Sequence, residues 1–210
     1  WLAASNLRRL SERVYVLRDG QFRDSDRDAF AELFRILGAQ CLLTLTRVGP
    51  LGSQSFNRQL HQIHLNQLGY TEQVDFAPGE PLLMTRNDYR FALFNGDAGV
   101  CVRVQSGHQI HPMAVFLRAD SFFALPLSSI RHELALRYAM TVHKSQGSEY
   151  DHIACILPER DMPLLTREIL YTAVTRAKRG VLLAGNRALL RMAISRRIQR
   201  FTGIAEGLIE

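Results

Sequence analysis

A change of rhythm partway along the chain limits its fold more than any single motif does. Val14, Tyr15, Val16 and Leu17 form a β-branched and aromatic run closed by the turn pair Asp19-Gly20, which predicts a strand. Phe30, Leu33, Phe34 and Leu37 then recur at helical spacing, with Asp26 placed to cap the helix and Gly38 to stop it. Residues 41–46 predict a second strand, so the opening reads β-α-β, the unit that builds parallel sheets. Another helix is expected after Gly49-Pro50-Leu51-Gly52, with Phe56, Leu60, Ile63 and Leu68 inside. From Ala77 this rhythm stops. Pro78, Gly79, Pro81, Gly96, Gly99, Gly107, Pro112 and Pro126 punctuate short apolar runs, the pattern of a small all-β module.

The α/β rhythm returns after Ile130. Residues 138–142, 152–157 and 181–184 predict strands, Thr166 caps a helix expected to reach Lys178, and Asn186 caps a last basic helix to about residue 200. The fold class expected is therefore α/β. A parallel-sheet domain made of 1–76 and 132–210 is interrupted by a β insertion at 77–131.

At 47% hydrophobic and 22% charged residues, the chain of 210 residues buries a proper core, which excludes a disordered class. No apolar run approaches the ~18 residues that a membrane span needs. Cys41, Cys101 and Cys155 lie far apart, which argues against a disulfide framework or structural zinc and suits a reducing cytoplasm. The chain opens on Trp1, as expected of a piece of a longer protein.

Charge is unevenly placed. Between Arg167 and Phe201 nine basic residues face one acid, giving that stretch +8 within a total of +6. Such a segment either faces phosphate or forms a solvated helix face.

Two segments carry chemistry. Thr141-Val142-His143-Lys144-Ser145-Gln146-Gly147-Ser148-Glu149 follows a strand with far more polar residues than packing explains. The carboxyl ends of strands in open α/β sheets are where ligands bind, and hydroxyl, amide and backbone N–H groups suit phosphate and sugar. In Tyr171-Thr172-Ala173-Val174-Thr175-Arg176-Ala177-Lys178, helical spacing sets Thr172 and Arg176 on one face, with small neighbours that leave Arg176 free to project. An arginine delivered onto a transferring phosphoryl group is a catalytic device, although a plain surface arginine is commoner.

Together these segments resemble motifs V and VI of superfamily 1B DNA helicases, and among them the RecD-type subunits of exodeoxyribonuclease V (RecBCD). Residues 42–52 with Phe56-Asn57 resemble motif IV. Arg86-Asn87-Asp88 and Leu93-Phe94-Asn95-Gly96-Asp97-Ala98-Gly99 resemble the family's junction with its SH3-like insert, and Arg196-Arg197 with residues 203–208 resembles the end of that subunit. The resemblance implies a second RecA-like motor domain (2A) with an SH3-like β-barrel (2B) inserted. By that resemblance it would belong to an ATP-dependent 5′-to-3′ helicase of double-strand-break repair and recombination. Arg176 would be the arginine finger, and Gln146, Gly147, Glu149 and, more weakly, Arg47 would face the nucleotide. Thr141, His143, Lys144 and Ser145 would lie towards single-stranded DNA. Asn87 and Asn95 at the junction would bind DNA or shape a turn, the turn role weighing more for Asn95-Gly96. ATP and Mg2+ are the implied cofactors; the implied partners are single-stranded DNA, RecB-like and RecC-like subunits and the parent's own first RecA-like domain.

The chain departs from a complete motor. It has no Gly-x-x-x-x-Gly-Lys-Ser/Thr loop and no Asp-Glu pair after a strand, so on its own it is expected neither to hydrolyse ATP nor to unwind DNA. The pairs His61 with His64 and His108 with His111 lack further ligands at metal spacing and read as surface histidines, so no metal site is expected. The alternatives left open are a non-catalytic nucleic-acid clamp or docking module, and a single-chain helicase of the same type.

Overall fold

The computed structural model describes residues 5–197. The resemblance seen at 203–208, and the last residues of the expected basic helix, lie outside them. The elements run in the order α1 (Ser5–Glu12), β1 (Val14–Arg18), β2 (Gln21–Phe22), α2 (Asp24–Gly38), β3 (Gln40–Thr44) and α3 (Ser53–Leu68). The middle of the chain supplies β4 (Pro81–Met84), β5 (Ala98–Ser106), β6 (Gln109–Arg118), β7 (Ser121–Pro126), α4 (Leu127–Ile130) and β8 (Leu134–Leu136). It closes with β9 (Ala139–Thr141), β10 (Tyr150–Ile156), α5 (Arg167–Val174), β11 (Ala177–Ala184) and α6 (Arg187–Ser195).

Two sheets result. One has four parallel strands in the order β11-β10-β3-β9. The other has seven strands and is antiparallel except where β1 runs parallel to the end of β5. One side of β5 is lined throughout by β6, which continues into β7; the other side is shared by β4 at its start and β1 at its end.

The opening β-α-β does not build one parallel sheet. β1 joins the seven-stranded sheet, β3 the four-stranded one, and α2 bridges them. The reason lies in what α2 buries. Its face of Ala29, Phe30, Leu33, Ile36 and Leu37 packs with Tyr15, Phe22, Val100, Val102, Val104, Met113 and Val115 of the mixed sheet. Phe30 stacks on Tyr15 with ring centroids 4.4 Å apart and meets Phe22 edge-on at 4.7 Å. Local periodicity specifies a helix face but not which sheet it will cover. Residues 1–76 thus contribute to both sheets.

Three local expectations also change. Asp26 lies within the first turn of α2, not at its cap. It is buried, and it accepts from Arg13 Nη2 at 2.5 Å and from the Val16 amide at 3.2 Å, because a buried carboxylate needs charge-assisted partners. In α3 the buried positions are Ser53, His64 and Leu65, while Ile63 is 46% exposed. The helix capped by Thr166 ends at Val174. There the Thr175 hydroxyl donates to Tyr171 O and Thr172 O, satisfying last-turn carbonyls, and Tyr150 N already draws Arg176 O into the sheet. The last helix, capped by Asn186 as expected, stops at Ser195.

Candidate functional site

Short β9 sits at the edge of the parallel sheet, and both of its ends are built from polar residues. Its carboxyl end opens onto a cleft of about 260 Å³ lined by Arg47, Gln54, Asn57, Thr85, Thr141 and Lys144 among others. β3 ends beside it, and the start of α3 is fixed there by Ser53 N donating to Thr46 O and Gln54 N to Arg47 O. Asn57 locks α3 to β9 like an extra strand: its side chain donates to Ala139 O at 2.9 Å and accepts from Ala139 N at 2.8 Å. Partial burial, then the Arg47 charge, holds the Lys144 ammonium below its ordinary value. The Thr141 hydroxyl accepts from Lys144 N, and His143–Ser145 forms a 3₁₀ turn.

Residues 142–149 then cross from the carboxyl edge of the sheet to its amino edge, where β10 begins. His143, Gln146, Gly147 and Glu149 are exposed along this path. Gly147 has φ +83°, a left-handed conformation that strains any side-chain-bearing residue. At the far end stands Arg176, in the turn between α5 and β11. Its guanidinium donates to Thr172 O at 3.2 Å, to Ser148 O at 3.3 Å and to Thr175 Oγ1 at 3.3 Å. Lys178 Nζ pairs with Glu149 at 3.1 Å, both side chains mostly exposed. The two expected segments therefore meet, and Arg176 is the tie between them. It does so from a turn, folded back, not by projecting from a helix.

Two expected roles do not survive this arrangement. Ser145 is fully buried and donates its hydroxyl to Val142 O at 2.7 Å, so it shapes the turn and offers DNA no surface. Arg47 belongs with Thr141 and Lys144 at the carboxyl edge, whereas Glu149 and Arg176 stand at the amino edge, next to the starts of β10 and β11; the length of the strands separates Arg47 from them. Asn87 and Asn95 come together, Asn95 N donating to Asn87 Oδ1 at 2.9 Å, and Asn95-Gly96 makes a turn that returns Gly96 N to Met84 O.

The amino end of β9 holds what the sequence reading missed. Glu80 is fully buried and accepts from Ala77 N at 2.7 Å and Tyr138 Oη at 3.2 Å, with His61 Nδ1 at 2.7 Å. His61 Nε2 lies 2.9 Å from Val74 O. Both ring nitrogens thus face acceptors, which a protonated ring alone satisfies; the Glu80 hydrogen bond raises the His61 pKa, with partial burial opposing it. His64 is buried against Pro78 O at 2.8 Å. These are structural histidines, not surface ones. The signal was present: Asn57, His61 and His64 stand at i, i+4 and i+7 on one helix face, and Glu80 is a lone acid in a Pro-rich apolar run. Gly79 seals the junction, since a Cβ there would lie 1.9 Å from Ser11 Oγ.

The basic last helix is partly committed to the fold. Arg196 clasps Asp161 through both carboxylate oxygens at 2.7 and 2.8 Å and donates to Met162 O at 2.8 Å, while Arg191 is exposed. Cys41, Cys101 and Cys155 are free and buried, and burial pushes the Cys41 thiol up to about 12. No helix among the described residues is long and apolar enough to cross a membrane.

A family model of the UvrD-like helicase C-terminal domain matches residues 136–184, the stretch from the end of β8 to the end of β11. The RecBCD enzyme subunit RecD of Mycolicibacterium smegmatis is 38% identical over 91% of this chain and 32% of its own length. The ATP-dependent RecD2 DNA helicase of Deinococcus radiodurans is 32% identical over 80% of this chain and 23% of its own. The solved Pif1 helicase of Candida albicans covers 89% of this chain and 56% of its own, at 15% identity and TM-score 0.46. The parallel sheet and the matched segment define a helicase C-terminal domain. Within that class the chain is a RecD-type C-terminal region, with identities of 31–39% to RecD subunits over most of its length. It spans about a third or less of the length of the curated relatives it matches.

Proposed function

We propose that this chain is the RecA-like 2A domain, with an SH3-like 2B insertion, of an ATP-dependent 5′-to-3′ DNA helicase of RecD type, and that Arg176 is its arginine finger. One observation carries the reading: the Arg176 guanidinium ties the turn after α5 to Ser148 in the polar loop. All three of its acceptors are neutral oxygens, and an anionic phosphate is a stronger, charge-assisted partner.

The residues at this edge fit a polyphosphate. Arg176, Lys178, the Gln146 amide and the backbone at Gly147 could hold ATP, which when bound would supply the γ-phosphoryl group whose transfer to water powers the motor. Magnesium fits less well. Glu149 is paired with Lys178, and among the described residues no group of three His, Cys, Asp or Glu could hold a metal ion; the ion's ligands would come from the parent's first motor domain.

What this chain contributes is coupling. When Arg176 turns towards an anion it gives up Ser148 O. That frees the amino-edge end of loop 142–149, whose other end, next to Thr141, sets Lys144 on the cleft and leaves His143 exposed. A change of charge at one edge of the sheet thereby alters the grip on a nucleic-acid backbone at the other, a population shift between two loop states. Several RecD subunits of the RecBCD enzyme are 31–39% identical over most of this chain, beside the RecD2 helicase at 32%. Their recurrence supports a parent working beside RecB-like and RecC-like subunits in double-strand-break repair.

The test is Arg176→Ala in the full-length parent. ATP turnover should fall by a factor on the order of 10³ with ATP binding spared. Near-normal turnover removes Arg176 from the finger role.

A further inference from the structure

We propose that Tyr89 and Phe94 form a stacking platform for the bases of a single strand passing the cleft of Arg47, Thr141 and Lys144. This rests on the nucleic-acid reading of that cleft. It goes further by giving the bases, as distinct from the phosphates, a place to bind.

The two rings are the most exposed aromatics of their region, Tyr89 at 79% and Phe94 at 49%, set edge to face with centroids 6.4 Å apart. They flank a tight hairpin closed by Asp88 N donating to Leu93 O at 2.8 Å and Leu93 N to Asp88 O at 3.0 Å. The hairpin is held on every side. The buried Asp88 carboxylate takes Arg90 through its backbone N–H at 3.0 Å and its guanidinium at 2.5 and 3.0 Å. From β6, Arg118 donates to the Phe91 and Ala92 carbonyls. Ala92 is kept at φ +48°, a conformation that a non-glycine residue adopts only when its surroundings fix it. Asn87 fastens the other flank through Asn95 N.

A loop fixed this firmly, with Phe91 and Leu93 packed on the core but the Tyr89 and Phe94 rings turned to water, gains little from burying those two rings. It is preorganised for a partner. Arg90 is matched by Asp88, and the Arg118 guanidinium lies over the Phe123 ring at 4.3 Å, while Arg86 beside Asn87 stays exposed for a phosphate. The rings add what charge does not supply, a π-face, and every base has one. The loop begins at Thr85, which lines the cleft together with Thr141 and Lys144, so Tyr89 stands only four residues along the chain from the cleft wall.

The test separates stacking from phosphate contact. Fluorescence anisotropy compares this chain's binding of labelled oligothymidine with that of an abasic phosphodiester strand of the same length. The chain should prefer oligothymidine. Tyr89→Ala and Phe94→Ala should each weaken that binding roughly ten-fold while leaving the abasic strand unchanged, and Tyr89→Phe should keep the preference. Equal affinity for both strands, or a preference that survives both alanine variants, overturns the platform and leaves the cleft as a phosphate site. Failure to bind either strand removes the nucleic-acid reading of the cleft itself, and the platform with it.

Discussion

The two ends of β9 are both polar, yet they are built in opposite ways. At the amino end Glu80, His61, Tyr138 and the Ala77 amide are matched to one another inside the protein. At the carboxyl end Thr141, His143 and Lys144 begin a loop whose side chains stand mostly in water. What is held is its backbone, by Ser145 Oγ on Val142 O near its start and by Arg176 on Ser148 O where it reaches the amino edge. Burial dictates the first arrangement, because each unmatched polar atom there would cost about 1–3 kcal/mol. Exposure permits the second. One end of a three-residue strand thus anchors it, and the other is left available to ligands.

If that division is right, variants at the two ends should fail in different measurements. The largest effect belongs to the far end of the loop that leaves the open end. Arg176→Ala, with its roughly 10³-fold loss of turnover in the parent, should move the urea unfolding midpoint of this chain little, since a surface residue away from buried features costs within about 0.5 kcal/mol. A large drop in stability would mean that Arg176 is chiefly a structural clasp. At the closed end Glu80→Ala strands the His61 ring and the Ala77 amide, and should cost about 3 kcal/mol of unfolding free energy, the scale for breaking a buried pair. A loss near zero would show that water already reaches the junction.

The closed end also predicts a pH dependence with a definite sign. The His61 pKa is raised in the folded chain by Glu80 first, with Asp75, itself paired with Arg131, contributing; Tyr138 reaches the pair through Glu80. A raised folded value means that the stabilisation is complete below the unfolded histidine pKa of about 6.5, and is lost as pH rises through the folded value. Urea midpoints measured from about pH 5.5 to 8.5 should therefore decline with rising pH, and His61→Gln should flatten that decline. The same slope in both proteins would assign it to another group.

The open end was legible in the sequence because exposed function leaves polar residues where packing has no use for them. Thr141 to Glu149 is such a run, and Arg176 stood out beside it. The closed end was not, because a buried polar cluster is assembled from residues far apart in sequence: His61, Val74, Ala77, Glu80 and Tyr138. Two histidines three apart read as surface until a carboxylate from another segment is known to face them. The same limit explains β1. Its strand character was plain from Val14 to Leu17, but only the long-range match of Phe30 and Leu33 to Val100, Val102 and Val104 assigns it to the mixed sheet. The helix ending at Val174 was missed for a local reason, since nothing in Thr175-Arg176-Ala177-Lys178 breaks a helix; the pull comes from Tyr150 on the neighbouring strand.

The smallest effect carries the comparison to the last helix, where Arg191 within α6 and Arg196 at its C-cap fall on either side of the division. Arg196 behaves like the closed end: it is 30% exposed, forked onto Asp161, and also bonded to Met162 O. Arg191 behaves like the open end, exposed on the outer face of α6. Arg196→Ala should lower the urea unfolding midpoint slightly, as expected of a well-formed surface pair, and should leave the salt dependence of DNA binding alone. Arg191→Glu should leave the urea midpoint unchanged and reduce the slope of log affinity against log salt by about one, the signature of one lost phosphate contact. An unchanged slope for Arg191→Glu would make α6 a solvated face, and would confine the phosphate contacts of this chain to the cleft of Arg47 and Lys144.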